Sequence, residues 1–238
     1  MKRYLSYIYL GLFLTLLLPG LRAQNMGITV SGGLASQSMD DMKYLQEYIL
    51  GTYPVEGKIT SSFPPFATAS INLMKQGFAY LHFGGGYTYS TTGGKSSYAD
   101  PTGSIITEMD LSSHRLGAFL TYTIWEREHI DIALNGRVDL NLTTVEISSG
   151  VNVLGLINRI YNQYRSLGPS VSGGLECMYK FENLAVGILG GYLVDIPGDL
   201  SKTDGDDPLT DPNDSERVLT ANWTGWHVGI KTRFWLNY

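Results

Sequence analysis

From His129 to Thr143 the chain alternates without a break. Ile130, Ile132, Leu134, Gly136, Val138, Leu140 and Leu142 fall on one side, and His129, Asp131, Ala133, Asn135, Arg137, Asp139, Asn141 and Thr143 on the other. A period of two held this long is a strand with one apolar and one polar face, and it excludes an amphipathic helix there. The split recurs at 170–181, where Val171, Gly173, Leu175, Cys177, Tyr179 and Phe181 oppose Ser170, Ser172, Gly174, Glu176, Met178 and Lys180. It recurs again at 226–238, with Trp226, Val228, Ile230, Thr232, Phe234, Leu236 and Tyr238 against His227, Gly229, Lys231, Arg233, Trp235 and Asn237. Shorter runs at 26–35, 66–74, 78–90, 114–124 and 184–194 bring the expectation to eight strands.

The connections are sorted by length. Lys75-Gln76-Gly77, Glu126-Arg127-Glu128 and Glu182-Asn183 read as tight turns, while 37–65, 91–111, 147–167 and 195–218 read as long loops. Strict alternation of the two predicts an all-β, antiparallel, up-and-down barrel with every long loop at one end. Gly pairs inside the runs supply the bends that a closed sheet needs.

Alternation alone leaves open which face lies inside, and composition decides it. A soluble barrel would turn Lys and Glu to water, yet charged residues are only 16% of the chain, against about 25% in ordinary soluble domains. The polar faces are mainly Ser, Thr, Asn and Gly, which suits a lumen. Tyr87, Tyr89, Tyr122, Trp125, Tyr179, Tyr192, Trp226 and Tyr238 gather near strand ends, as aromatic girdles do at the two membrane interfaces. No stretch after the N-terminus approaches 18 consecutive apolar residues, so a membrane would be crossed by strands.

Residues 1–23 read as a secretory signal peptide. Lys2 and Arg3 precede an uncharged run from Tyr4 to Pro19, and Leu21-Arg22-Ala23 offers a cleavage site before Gln24. Cleavage there takes the formal charge from −5 to −8 and leaves 24–238 as the barrel. An acidic chain with no basic run excludes a nucleic-acid binder, and one Cys excludes a disulfide scaffold.

On these grounds the chain resembles the small outer-membrane β-barrels of the OmpA/OmpX-like type over essentially all of 24–238. The resemblance implies the Gram-negative outer membrane with its lipid and lipopolysaccharide as surroundings. It also implies recognition of the last strand by the barrel-assembly machinery. His227-x-Gly229-x-x-Thr232-x-Phe234 carries part of that assembly signal, with Gly229, Thr232 and Phe234 at the matching positions and four residues beyond it.

Polar faces turned inward place Arg115, Arg137, Lys180, Lys231 and Arg233 in the lumen with Asp131, Asp139 and Glu176. Eight strands leave an interior just wide enough for side chains, so these are expected to pair as a packed polar core. A narrow small-solute channel would need them to stand apart. The His residues raise a second alternative, a lipid-A-modifying hydrolase or acyltransferase, for which Ser112-Ser113-His114 is the nearest local match. No cofactor is expected. Loop 195–218 is acidic, and Asp204, Asp206 and Asp207 form a weak Ca²⁺ candidate that lacks full EF-hand spacing; a solvated acidic loop is the simpler reading.

Two loop segments carry helical spacing. Asp40-Asp41 can start a helix bearing Met42, Leu45, Tyr48 and Ile49, and 152–165 places Val153, Leu156, Ile157, Ile160, Tyr161 and Tyr164 on one side. The apolar side of such a helix must be buried, by capping the barrel mouth or resting on the outer leaflet, or else by docking a partner protein. The expected function is therefore a membrane scaffold or accessory subunit of an envelope transport or secretion complex, and not an enzyme.

Overall fold

The computed structural model describes residues 26–52, 57–77, 80–101, 103–153, 156–205 and 207–236. The signal-peptide reading of 1–23, Asp206 and the last two residues lie outside them. Eight long strands pair antiparallel in a closed ring: β1 (Met26–Gln37), β3 (Phe66–Gln76), β4 (Leu81–Asp100), β5 (Gly103–Glu126), β6 (Ile130–Val153), β7 (Leu156–Lys180), β8 (Leu184–Asp195) and β12 (Gly225–Leu236). β12 closes the ring on β1, with Met26 opposite Leu236 and Gln37 opposite Gly225. Closure pairs the edge amides, which is what lets a sheet stand in hydrocarbon. Short elements complete the chain: helix α1 (Asp40–Gly51), β2 (Lys58–Ser62), β9 (Ser201–Lys202), β10 (Thr210–Asp211) and β11 (Asp214–Val218).

The apolar face points out. Leu34, Ile71, Leu116, Leu120, Leu134, Val138, Leu140, Leu175, Ile188, Val228 and Ile230 are all exposed on the outer wall, while Thr29, Asn72, Ser90, Ser113, Thr121, Asp139, Asn141, Glu176, Lys231 and Arg233 are buried inside. An outer wall of this kind is a lipid-facing band, and the chain has the architecture of a transmembrane β-barrel. Val138→Arg, near the middle of the band on β6, is expected to cost about 2–4 kcal/mol of folding stability in lipid vesicles. A urea titration followed by Trp fluorescence checks it; a water-facing site would show almost no change.

The strand connections after Gly77 and at 127–129 and 181–183 lie at one end, where the sequence places its tight turns. The other end differs. Segments 91–111 and 147–167, read as loops, are strand continuations: β4 and β5 pair without interruption to Asp100↔Gly103, and β6 and β7 to Val153↔Leu156. β6 holds 24 residues, roughly 80 Å at ~3.4 Å each, where 9–11 residues suffice to cross a bilayer. The strands thus run well beyond the membrane as a free-standing wall. The helical reading of 152–165 falls with this, because each residue of 156–165 faces a β6 partner across the hairpin. The helix expected at Asp40 is present as α1.

Inside the wall the lumen changes character. The inward positions of β5 run Thr121, Phe119, Arg115 and Ser113 and then turn apolar at Leu111 and Met109; β6 does the same at Val145 and Ile147, their direct partners. Met42 and Leu45 of α1 seat on this apolar ring together with Phe63, Phe66, Leu193, Leu200, Leu219, Ala221 and Trp223. A second core therefore sits in the mouth of the barrel. It forms a cap made from 38–52, 57–66, 196–205 and 207–224.

Candidate functional site

Two regions bring chemistry-bearing side chains together: the polar lumen and the cap above it. At the turn end Lys180 Nζ lies 2.6 Å from Glu126 Oε1 and 2.9 Å from Asp131 Oδ1. One level up, Glu176 takes a separate cation on each oxygen, Lys231 on Oε2 and Arg233 on Oε1, both at 2.5 Å. All three are nearly inaccessible. Each charge there loses its water, and only the mutual attraction and hydrogen bonds compensate for that loss. Trp235 and His82 close the lumen beneath this triad, with rings 5.4 Å apart.

At mid-height Arg137 is held on three sides. Its Nε donates to Asp139 Oδ1 at 2.6 Å, its Nη1 to Asn72 Oδ1 at 2.6 Å and its Nη2 to the Gly86 carbonyl at 2.9 Å. Glycine makes the room for this. A Cβ on Gly86 would strike Asn72 Oδ1, and one on Gly117 would strike both Asp139 Oδ1 and the Val138 carbonyl. Arg115 Nη2 reaches the Ser90 hydroxyl at 3.2 Å. Ser113 donates to Asn141 at 2.6 Å and Asn141 to Asp195 at 3.1 Å. The sequence puts Asp195 at the start of the acidic loop 195–218. It is instead the buried end of β8, accepting the Trp223 backbone N–H at 3.1 Å and so tying cap to barrel.

The eight lumen residues named from the sequence thus all lie inside, in three groups stacked along the axis, with Arg115 apart. Sequence reading missed Asp195, Glu126, Asn72 and the glycines that accommodate Arg137. Between the groups a cavity of about 110 Å³ remains, lined among others by Gln37, Arg115, Arg137, His227 and Lys231.

The cap is fastened on its outer side by Arg217. Its Nη2 reaches Asp41 Oδ1 on α1 and its Nη1 Asp211 Oδ2 at 3.2 Å. Asp41 Oδ2 also accepts the Thr220 N–H and hydroxyl, each at 3.0 Å. The Asn213 backbone N–H and the Tyr44 hydroxyl share Asp211 Oδ1 and, with Arg217, hold its carboxyl below the ordinary carboxylate value. Asp204 and Asp207 are exposed, and among the described residues no three His, Cys, Asp or Glu side chains converge as metal ligands.

His114 lies on the outer wall. Its Nδ1 is 2.7 Å from the Tyr87 hydroxyl, and the Tyr89 ring is 5.2 Å away. Ser112 shares that face but makes no hydrogen bond with it, and among the described residues no carboxylate does. Of the assembly-signal residues, Phe234 and Thr232 are on the outer wall and Gly229 on the inner one.

No protein-family model matches the chain, and no curated protein matches it. Among solved structures it is similar to Ail, the attachment invasion locus protein of Yersinia pestis, with 10% identity, a TM-score of 0.38, and coverage of 89% of this chain and 99% of that one. It is also similar to Neisserial surface protein A, at 13% identity and a TM-score of 0.41 over 89% and 96% of the two chains. A third is the transport unit of the autotransporter AIDA-I from Escherichia coli, at 9% identity and a TM-score of 0.27 over 92% of each chain.

Proposed function

Taking the chain as an eight-stranded transmembrane β-barrel of OmpA/OmpX-like architecture, we propose that it is a scaffold of the Gram-negative outer membrane. Its capped outer end would bind a partner of the cell envelope, as an accessory to a transport or secretion complex. The observation that carries this is the distribution of ordered chain. The lumen is filled by paired side chains, whereas the outer half of β4–β7 and the cap form an ordered body with a core of its own. A barrel needs none of that to stand in lipid, and long structured connections more often serve function than stability. This reading also takes 1–23 as a signal peptide, so that the mature chain starts at Gln24, and takes Gly229, Thr232 and Phe234 as contacts for the barrel-assembly machinery.

Catalysis has less support. Nucleophilic chemistry needs Ser, His and an orienting acid in hydrogen-bond reach, and His114 spends Nδ1 on Tyr87. A channel is disfavoured by the ion-paired lumen, whose cavity amounts to about 110 Å³.

Removing 149–160 and joining Ser148 to Tyr161, which face each other across the hairpin, through an Asn-Gly turn shortens the wall without touching the ring. Crosslinking in the native membrane followed by gentle solubilisation is expected to capture one specific envelope partner with the intact chain. The shortened chain should lose most of it, at least tenfold, while still migrating as a folded barrel. Equal capture by both chains would exclude the hairpin as the binding element.

A further inference from the structure

The lumen is not neutral along its length. Between the Lys180 cluster and the cap, the described inward residues carry four cations, Arg115, Arg137, Lys231 and Arg233, against three carboxylates, Asp139, Glu176 and Asp195. Glu176 is shared by Lys231 and Arg233, and Asp139 is taken by Arg137. Asp195 accepts from Asn141 and the Trp223 N–H. Arg115 is the cation that none of these carboxylates contacts, Asp139 and Asp195 acting on it only from beyond ion-pair distance. Among the described residues its single hydrogen bond goes to the Ser90 hydroxyl, and its Nε is shielded from solvent without a partner. A guanidinium cannot shed its proton at any ordinary pH, so its shielded N–H calls for an acceptor in direct contact.

Arg115 borders the cavity, and the cavity is polar where it meets it. Gln37 and His227 line the same space, offering an amide and a ring nitrogen, and Gln37 Oε1 is also without a partner, so the amide is free to turn either nitrogen or oxygen inward. A volume of about 110 Å³ exceeds the ~30 Å³ share of one water, so the space is wet. Waters solvate the guanidinium but leave the net charge in place. One compact monovalent anion does both.

We propose that the lumen holds a small inorganic anion of the halide class against Arg115, with Gln37 and His227 as the neighbouring donors. The anion gives a contact partner to the one cation at this level that no carboxylate touches. The site is independent of whatever binds the outer end.

The test refolds the full mature chain into detergent micelles in sodium chloride, sodium bromide or sodium gluconate at equal ionic strength. Gluconate, with six carbons and their hydroxyls, is too large for the cavity. Crystals of the bromide form should show one anomalous peak inside the barrel within hydrogen-bond distance of the Arg115 guanidinium. The thermal midpoint of the folded form should be lower in gluconate than in chloride by roughly 3 °C or more. Arg115→Gln should lose both the peak and the salt-identity dependence, while Arg217→Gln, on the exposed cap, should retain both. Bromide found only on exposed surfaces, as an adventitious ion only, or equal midpoints of the wild-type chain in chloride and gluconate, would overturn the proposal. The wild-type comparison decides it even if Arg115→Gln fails to fold.

Discussion

Glu176→Ala is expected to lower barrel stability by about 3–5 kcal/mol, one of the two largest effects of a single substitution in this chain. The carboxylate holds two cations, Lys231 and Arg233, both almost inaccessible. Its removal leaves two like charges facing each other in a nearly inaccessible section of the lumen with His82 and Trp235 beneath them. Most of the loss comes from those stranded cations and not from the intrinsic strength of the pairs. A second variant separates these contributions. Replacing the whole group, Glu176→Leu with Lys231→Met and Arg233→Met, should restore stability to near the wild-type value, since apolar groups of similar volume carry no desolvation cost. Urea unfolding of the refolded barrel in lipid vesicles, read by the heat-dependent shift in gel mobility, measures both. If Glu176→Ala unfolds at the wild-type midpoint, water from the adjoining cavity solvates the stranded cations and the pairs contribute little.

The part of the chain that was legible in advance is the part with lipid on one side and a polar lumen on the other. Ile130 through Leu142 announces itself because its two faces meet different media, and the same contrast marks 170–181 and 226–236. Beyond the membrane that contrast disappears. Ile160 and Tyr161 point to opposite sides of β7, yet both are exposed, so no period of two is imposed on their segment. Its apolar residues fall by chance at helical spacing. What fixes 156–165 as a strand is its partner, residue for residue, in β6, and cross-strand pairing is invisible to a reading that moves along one strand at a time. A signal for the cap was nevertheless present. On β5 the apolar residues sit at even positions up to Leu116 and switch to odd ones at Leu111 and Met109; on β6 they switch between Leu142 and Val145. A one-residue change of phase without a turn means that the face seeking burial has changed sides. Here it marks the level where lipid ends outside and the cap begins inside. The charged lumen residues were readable from the strand phase alone, but their partners were not. Asp195 looked like one more acid in an acidic loop, and Arg115 looked like one more lumen cation, until register placed the first at the foot of the cap and left the second without a carboxylate.

Trp223→Ala should separate the cap from the barrel. The indole is 1% exposed and meets the Phe66 ring edge-on at 5.5 Å. Its Nε1–H donates to Thr143 on β6 at 2.9 Å, while its backbone N–H reaches Asp195 on β8. One residue thus fills the floor of the cap and ties it to two points on the barrel wall. Truncation to Ala removes a fully buried aromatic and leaves Thr143 without its donor, a loss of about 3–5 kcal/mol. That loss falls on the cap, whose core is small, and the eight-stranded ring keeps its lipid-facing band and its lumenal ion pairs. The expected result is a chain that still migrates as a folded barrel but is cut rapidly by trypsin or chymotrypsin within 38–65 and 196–224, where the wild-type chain resists. Trp223→Phe, which keeps the ring and loses only the N–H, should fall between the two, costing about 1–2 kcal/mol. If Trp223→Ala instead loses barrel mobility and cap protection together at one urea concentration, cap and barrel are a single cooperative unit. Deletions in the outer end could then not be read as tests of binding alone. If the two losses separate, the Trp223→Ala chain supplies the control that the hairpin experiment needs, an intact membrane barrel whose outer body is present in sequence but not folded, and a partner that requires the folded cap will leave it.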